Sequence, residues 1–156
     1  MKTTQMGICK LCGRETKLTF EHVPPQSAFN KSTVSIIEQE EALKLLTEEG
    51  RMPWDTSGLK KRIKQGGVGD YFLCDMCNNN TGSWYMSDYV RFIETINNLL
   101  VNFDIQHAPN LHFVVYQYPA LSIFKAIMTM FCDINNNCFG DNELRNFLLN
   151  KEATEF

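Results

Sequence analysis

The sequence predicts an α+β fold organised around a bound metal, and three observations carry that expectation. Two C-x-x-C pairs, Cys9 with Cys12 and Cys74 with Cys77, are separated by 61 residues. Short segments with strand character lie next to each pair. Apolar stripes of helical spacing follow the second pair. At 156 residues the chain is long enough for one domain or for one domain with an appendage. An apolar content of 44% allows a real core. No run of about 18 apolar residues exists, so no membrane span is expected. No apolar leader follows Met1, and a cytoplasmic chain is the default expectation.

The elements follow in order. Residues 7–14, GICKLCGR, make a tight knuckle with Gly13 easing the turn. Residues 18–23, LTFEHV, suit a short strand, which Pro24 and Pro25 end. Residues 36–49 read as an amphipathic helix, with Ile36, Ile37, Leu43, Leu45 and Leu46 on its buried side and Gly50 as its stop. Residues 50–69 are rich in Gly and Lys and read as a loop. Residues 70–74, DYFLC, suit a strand. A helix is expected from Thr81 or Ser83 to about Asn102, on the stripe Val90, Ile93, Ile96, Leu99 and Leu100. Leu111–Gln117 reads as a strand, 119–134 as an apolar helix with Pro119 at its first position, and Asp141–Asn150 as a last helix. The division expected is a metal-site module at 1–103 and an accessory segment at 104–156.

Zinc takes four sulfur ligands in a tetrahedron, and two C-x-x-C knuckles can close such a site. Cys9, Cys12, Cys74 and Cys77 are therefore the expected ligands of a structural Zn²⁺. A closed four-sulfur site has no open position for a substrate. Disulfides are the bland reading, and a thiol–disulfide protein is a further one. Cys132 lacks the spacing and reads as a small core residue.

Chemistry must then come from elsewhere. Of the three histidines, His22 alone lies between the knuckles, directly after Glu21. Adjacent strand residues face opposite ways, but a bulge or strand end lets both approach one phosphate. Asn78 follows Cys77 at once, in CNNNTG. His107 and His112 flank a turn signal and read as structural or exposed.

The order C-x-x-C, Glu-His-x-x-Pro, C-x-x-C-Asn-x-x-x-Gly resembles the HNH endonuclease superfamily over residues 8–83. The resemblance implies a ββα-metal, treble-clef zinc module, here with an inserted helix and a C-terminal strand-helix segment. It implies His22 as the general base, and Glu21 and Asn78 as ligands of a catalytic Mg²⁺ or Mn²⁺. Oxygen donors suit such a hard ion, and a neutral imidazole suits base work near pH 7. The implied activity is hydrolysis of phosphodiester bonds in nucleic acid, DNA first, leaving 5′-phosphate and 3′-hydroxyl ends, in a setting such as bacterial defence or mobile elements.

Two departures stand out. The position usually held by Asp is Glu21, and no Asn occurs between Asn30 and Asn78. Asp70 is a candidate for the middle Asn's backbone-pinning role, and Asn79 or Asn80 for the ligand in place of Asn78. The rival reading is a noncatalytic treble-clef module that binds nucleic acid or protein.

The net charge of −3 does not favour a nucleic-acid binder, but its distribution does. Residues 51–67 hold five basic side chains and one Asp. Lys60, Lys61, Arg62 and Lys64 are the expected phosphate contacts. Lys10, Arg14 and Lys17 extend basic charge around the first knuckle. Trp84 and Tyr85 can stack on bases, though packing is the commoner use. Residues 104–156 hold no catalytic motif. Phe113, Val115, Phe124, Ile127, Met128 and Phe131 there suit either a cover for the core or a homodimer or partner interface.

Overall fold

A computed structural model describes residues 5–48, 50–52, 55–102, 114, 116–135 and 142–154. The fold is α+β. Strands β1 (Gln5–Ile8) and β2 (Glu15–His22) flank the first knuckle as an antiparallel hairpin. Strand β5 (Gly69–Cys74) pairs antiparallel with the far edge of β2, giving the order β1-β2-β5. Between β2 and β5 the chain forms a second, two-stranded sheet, β3 (Val34–Ile37) with β4 (Lys61–Lys64), and helix α1 (Gln39–Glu48).

Helix α2 (Asp75–Thr81) starts at the end of β5, passes through one π-type turn at Gly82–Met86, and continues as α3 (Ser87–Asn102). Helices α4 (Ala120–Ile134) and α5 (Asn142–Leu149) close the structure. No described helix is long and apolar enough to cross a membrane.

Three expectations change. Ile36 and Ile37 lie in β3, opposite Arg62 and Lys61, and not on a helix. Branched Val34, Ile36 and Ile37 favour the extended chain, and α1 begins only at Gln39. Leu43, assigned to a buried stripe, is 56% exposed. Residues 61–64, read as loop, form β4 because β3 supplies a partner.

The helix expected from Thr81 starts six residues earlier, with Cys74 at its N-cap and Asp75 in its first turn. Three consecutive asparagines are poor helix formers. Tertiary packing around the second cysteine pair overrides that preference. The strand expected at Leu111–Gln117 falls mostly outside the described residues. Val114 and Tyr116, which are described, are exposed and unpaired with any strand. His107, His112 and Cys138 also lie outside the described residues. Pro119 stands one position earlier than expected, at the N-cap of α4.

One buried cluster joins both ends of the chain. Cys9, Leu11, Leu18, Leu73, Cys74 and Cys77 pack with Cys132 of α4 and with Phe147 and Leu148 of α5. Buried Lys125 of α4 donates to the carbonyls of Asn150 (2.7 Å) and Lys151 (3.4 Å) and lies over the rings of Phe147 and Tyr85. Tyr85 donates its hydroxyl to Leu148 O, so it is a core residue and not a base-stacking platform. The outer face of α4 leaves Phe124, Ile127, Phe131 and Ile134 exposed.

The segment after β2 is held by one side chain. Asn30 donates its amide to Pro24 O (2.6 Å) and Val68 O (2.7 Å), and its Oδ1 accepts from Val68 N (2.7 Å). Gly67 makes room for it at φ +91°, and a Cβ there would collide with the Asn30 carbonyl and side chain. At Gly50, φ is +62° and space is open. Gly67→Ala is therefore expected to cost about 1–3 kcal/mol, and clearly more than Gly50→Ala. Paired thermal denaturation curves check this; equal shifts for the two would contradict the clamp.

Candidate metal centre and adjoining cleft

Each cysteine pair sits where backbone geometry turns two sulfurs to one side. In the first knuckle, Gly13 N donates to Cys9 O (2.8 Å) and Cys9 N donates to Arg14 O (2.9 Å), closing the turn. The second pair spans the β5–α2 junction. A register shift at Thr19/Phe20 leaves Phe72 without a counterpart on β2. Its carbonyl accepts from Lys10 N (2.9 Å) and docks one knuckle on the other.

All four sulfurs lie within 4.8 Å of one another. Among the described residues, no other group of three His, Cys, Asp or Glu ligand atoms gathers so closely. Cys9 and Cys77 are fully buried, and none of the four is in a disulfide. The four cysteines fit a structural metal ion. Clustering sets the thiols against each other. A hydrogen bond from Cys77 pulls Cys9 down to about 4, and the same bond pushes Cys77 up. Burial raises Cys74. A divalent cation among the sulfurs resolves that conflict, because thiolates are its ligands. Exposed Arg14 donates to Cys12 Sγ at 3.4 Å.

The expected catalytic residues Glu21, His22 and Asn78 meet in a cleft of about 240 Å³. Its walls include Glu21, His22, Gln26, Asn78 and Asp133. The strand end resolves the facing problem: His22 is the last residue of β2, two positions beyond the register shift, and both it and Glu21 line the cavity. Gly69 lets β5 approach there, since a Cβ would strike the Glu21 carbonyl and sit 3.0 Å from His22 Cα.

Gln26 Nε2 donates to His22 Nε2 (3.1 Å) and to Gly66 O (3.1 Å). An amide nitrogen only donates, so in that arrangement Nε2 is the acceptor, which corresponds to the tautomer that carries its proton on Nδ1. A side-chain amide thus holds the imidazole.

Asn78 stands in the fourth position of α2, so it does not cap the helix. Its Nδ2 donates to Thr19 Oγ1 (3.0 Å), whose hydroxyl donates to Leu73 O (3.1 Å). That chain leaves Asn78 Oδ1 as the free end of the amide. Asn79 is exposed, and neither it nor Asn80 lines the cleft. Asp70 Oδ1 accepts from Tyr71 N next to it, and the side chain that clamps distant backbone is Asn30.

Sequence reasoning missed Asp133, Gln26 and Asn30. Asp133 is 2% exposed on an apolar helix. Buried Glu21 Oε1 and Asp133 Oδ1 have no hydrogen-bond partner. Burial, with the Cys9 sulfur adding to it, pushes Glu21 up to about 8. Burial and then the Glu21 carboxylate push Asp133 up to about 9, with Lys10 opposing. An ionisable side chain in the run IMTMFCDI was the available signal.

Of the basic residues, Lys60, Lys61 and Arg62 are exposed. Lys64 is half-buried, donates to Gly69 O and lies 5.3 Å from the Phe20 ring centre. A larger groove of about 730 Å³ runs past Arg14, Lys17 and Thr19 on the other side of the Thr19–Asn78 hydrogen bond.

Comparison of the chain with protein-family models, with curated proteins and with solved structures finds no match.

The four-sulfur site predicts one metal per chain. Cys12→Ser or Cys74→Ser should lose that metal and lower the melting temperature by about 10 °C or more, because folding and metal binding are one equilibrium. Elemental analysis beside a thermal melt reads both. Full metal content with an unchanged melt would rule out a structural site.

Proposed function

We propose that this protein is a metal-dependent endonuclease of the HNH kind, hydrolysing phosphodiester bonds in nucleic acid, DNA before RNA. The carrying observation is that Glu21, His22 and Asn78 line one cleft, with Asn78 directly after Cys77 of the four-cysteine cluster. Asn78 lies 57 positions beyond Glu21 in the chain. In this reading the cysteine cluster holds Zn²⁺ and the core is a treble clef.

The cleft suits a second, harder ion. Glu21 offers a buried carboxylate oxygen with no partner, and Asn78 offers an amide oxygen set free by the Thr19 bond. Such donors select Mg²⁺ or Mn²⁺. The ion, when bound, stabilises the charge that develops on the phosphate and on the departing 3′ oxygen.

The protein's own groups do the rest. His22 Nε2 carries the lone pair that accepts from Gln26. A water molecule that takes the place of the Gln26 amide sits against that lone pair and gives up its proton to it as it attacks phosphorus. The proton on Nδ1 is unaffected, and the ring becomes imidazolium. Gln26 also links His22 to Gly66, next to β4, so a nucleic acid lying on Lys60, Lys61 and Arg62 reaches toward the imidazole.

A second reading, a noncatalytic module that binds nucleic acid or protein, draws on the groove at Arg14 and Lys17, which contains no histidine.

Plasmid nicking with Mg²⁺ or Mn²⁺ separates the two. His22→Ala with full zinc content should lower the rate by about 10²–10⁴, the usual contribution of a positioned base. Equal rates in wild type and variant would remove His22 from the mechanism, and no cutting by either favours the binding module. Replacing Lys60, Lys61 and Arg62 with Ala should weaken DNA binding and reduce the slope of log affinity against log salt by roughly 0.7–0.9 per lost phosphate contact. An unchanged slope would place the nucleic acid elsewhere.

A further inference from the structure

Asp133 belongs to α4, yet it lines the same cavity as Glu21, His22 and Asn78. It is 2% exposed, and its Oδ1 is buried without a hydrogen-bond partner. Glu21 Oε1 is in the same condition. Two carboxylates with orphaned oxygens in one cavity are a costly arrangement. Desolvation and mutual repulsion both oppose it unless a positive charge or a proton sits between them.

The surroundings narrow the choice. Neither carboxylate forms a salt bridge among the described residues. The cavity walls offer no Lys or Arg, and Lys10, whose charge acts on Asp133, is not among them: beside the two acids they are His22, Gln26, Asn78, Thr81 and apolar or backbone groups. His22 does not join the acids as a third close ligand, since no such trio lies within 4.8 Å here. Its Nε2 is engaged by Gln26. Asn78 lines the cavity with an amide oxygen that its bond to Thr19 leaves unused.

We infer that Asp133 is the third oxygen ligand of a divalent cation that it shares with Glu21 and Asn78, so that α4 completes the metal site. Two carboxylates match the charge of such an ion, and an amide oxygen adds a neutral donor. Remaining positions are open to water and phosphate oxygens. Separate roles follow for the neighbours: oxygen groups hold the ion, and the imidazole keeps its lone pair for proton transfer. This inference rests on the reading that the cleft binds a hard cation, but it assigns a residue which that reading does not need.

The test uses the full chain with its cysteine site loaded with zinc. Binding of Mn²⁺ is measured by loss of the free-ion EPR signal and by the rise in melting temperature on adding Mn²⁺. Wild type should bind one Mn²⁺. Asp133→Asn, nearly the same shape, should weaken that binding by about 10–100-fold, while His22→Ala binds as wild type does. Without Mn²⁺, Asp133→Asn should melt at or above the wild-type temperature, since a buried carboxylate has been removed. If it fails to fold, Asp133→Ser carries the same comparison. Unchanged Mn²⁺ affinity in the Asp133 variant with loss in Glu21→Gln would overturn the inference alone, and would mean that the two acids share a proton. No Mn²⁺ binding by the wild type at millimolar concentration would overturn both the inference and the two-metal reading.

Discussion

The fold depends on four sulfur atoms brought together from two places 61 residues apart. The chain between them is poor in buried material: α1 exposes Leu43, and β4 exposes Ile63. The β3–β4 sheet has only two strands, which by themselves are marginal in water. The cysteine cluster fixes the β1–β2 turn against the β5–α2 junction, and the register of β2 on β5 follows. That register places Glu21 opposite Asp70 and His22 opposite Gly69. The cleft is thus a product of the cluster, although no cysteine lines it.

What the sequence made legible were features that local chemistry specifies. The cysteine spacing, the strand at LTFEHV and the apolar helix after Pro119 are such features. Each depends on a turn, a period or a breaker within a few residues. Features that depend on distant partners were not legible. β4 is extended because β3 lies beside it, and its charged sequence reads as loop without that partner. The helical state of CNNN comes from the second cysteine pair and from the continuous helix beyond it, against the preference of asparagine. The site divides in the same way. Glu21, His22 and Asn78 were singled out by their positions relative to the cysteines, and the structure brings them to one cleft. Asn30 was invisible because its bonds reach 38 residues along the chain to Val68. Asp133 was invisible because α4 had been assigned to an appendage.

The electrostatics of the cleft follow from its place behind the sulfurs. Negative charge on Cys9 acts on both Glu21 and Asp133 and makes each harder to ionise. A cation among the cysteines lessens that field, so the two regions are electrostatically linked without sharing a ligand. His22 is held by a different device. The Gln26 amide occupies its ring nitrogen and ties it to the Gly66 carbonyl, so imidazole orientation is set by the loop that follows β4.

The buried cluster that joins Cys9 and Leu11 to Phe147 and Leu148 also bears on how the molecule is made. A ribosome releases the first knuckle early and the residues that cover it almost 140 positions later. Until Phe147 and Leu148 emerge, Leu11 and Leu73 lack their covering partners, and Lys125 lacks the carbonyls of Asn150 and Lys151. Contacts between such distant parts close slowly, because a long loop must first be brought together. Native packing thus waits on α5, and a nascent chain cut short within α5 exposes the apolar wall of its own metal knuckle.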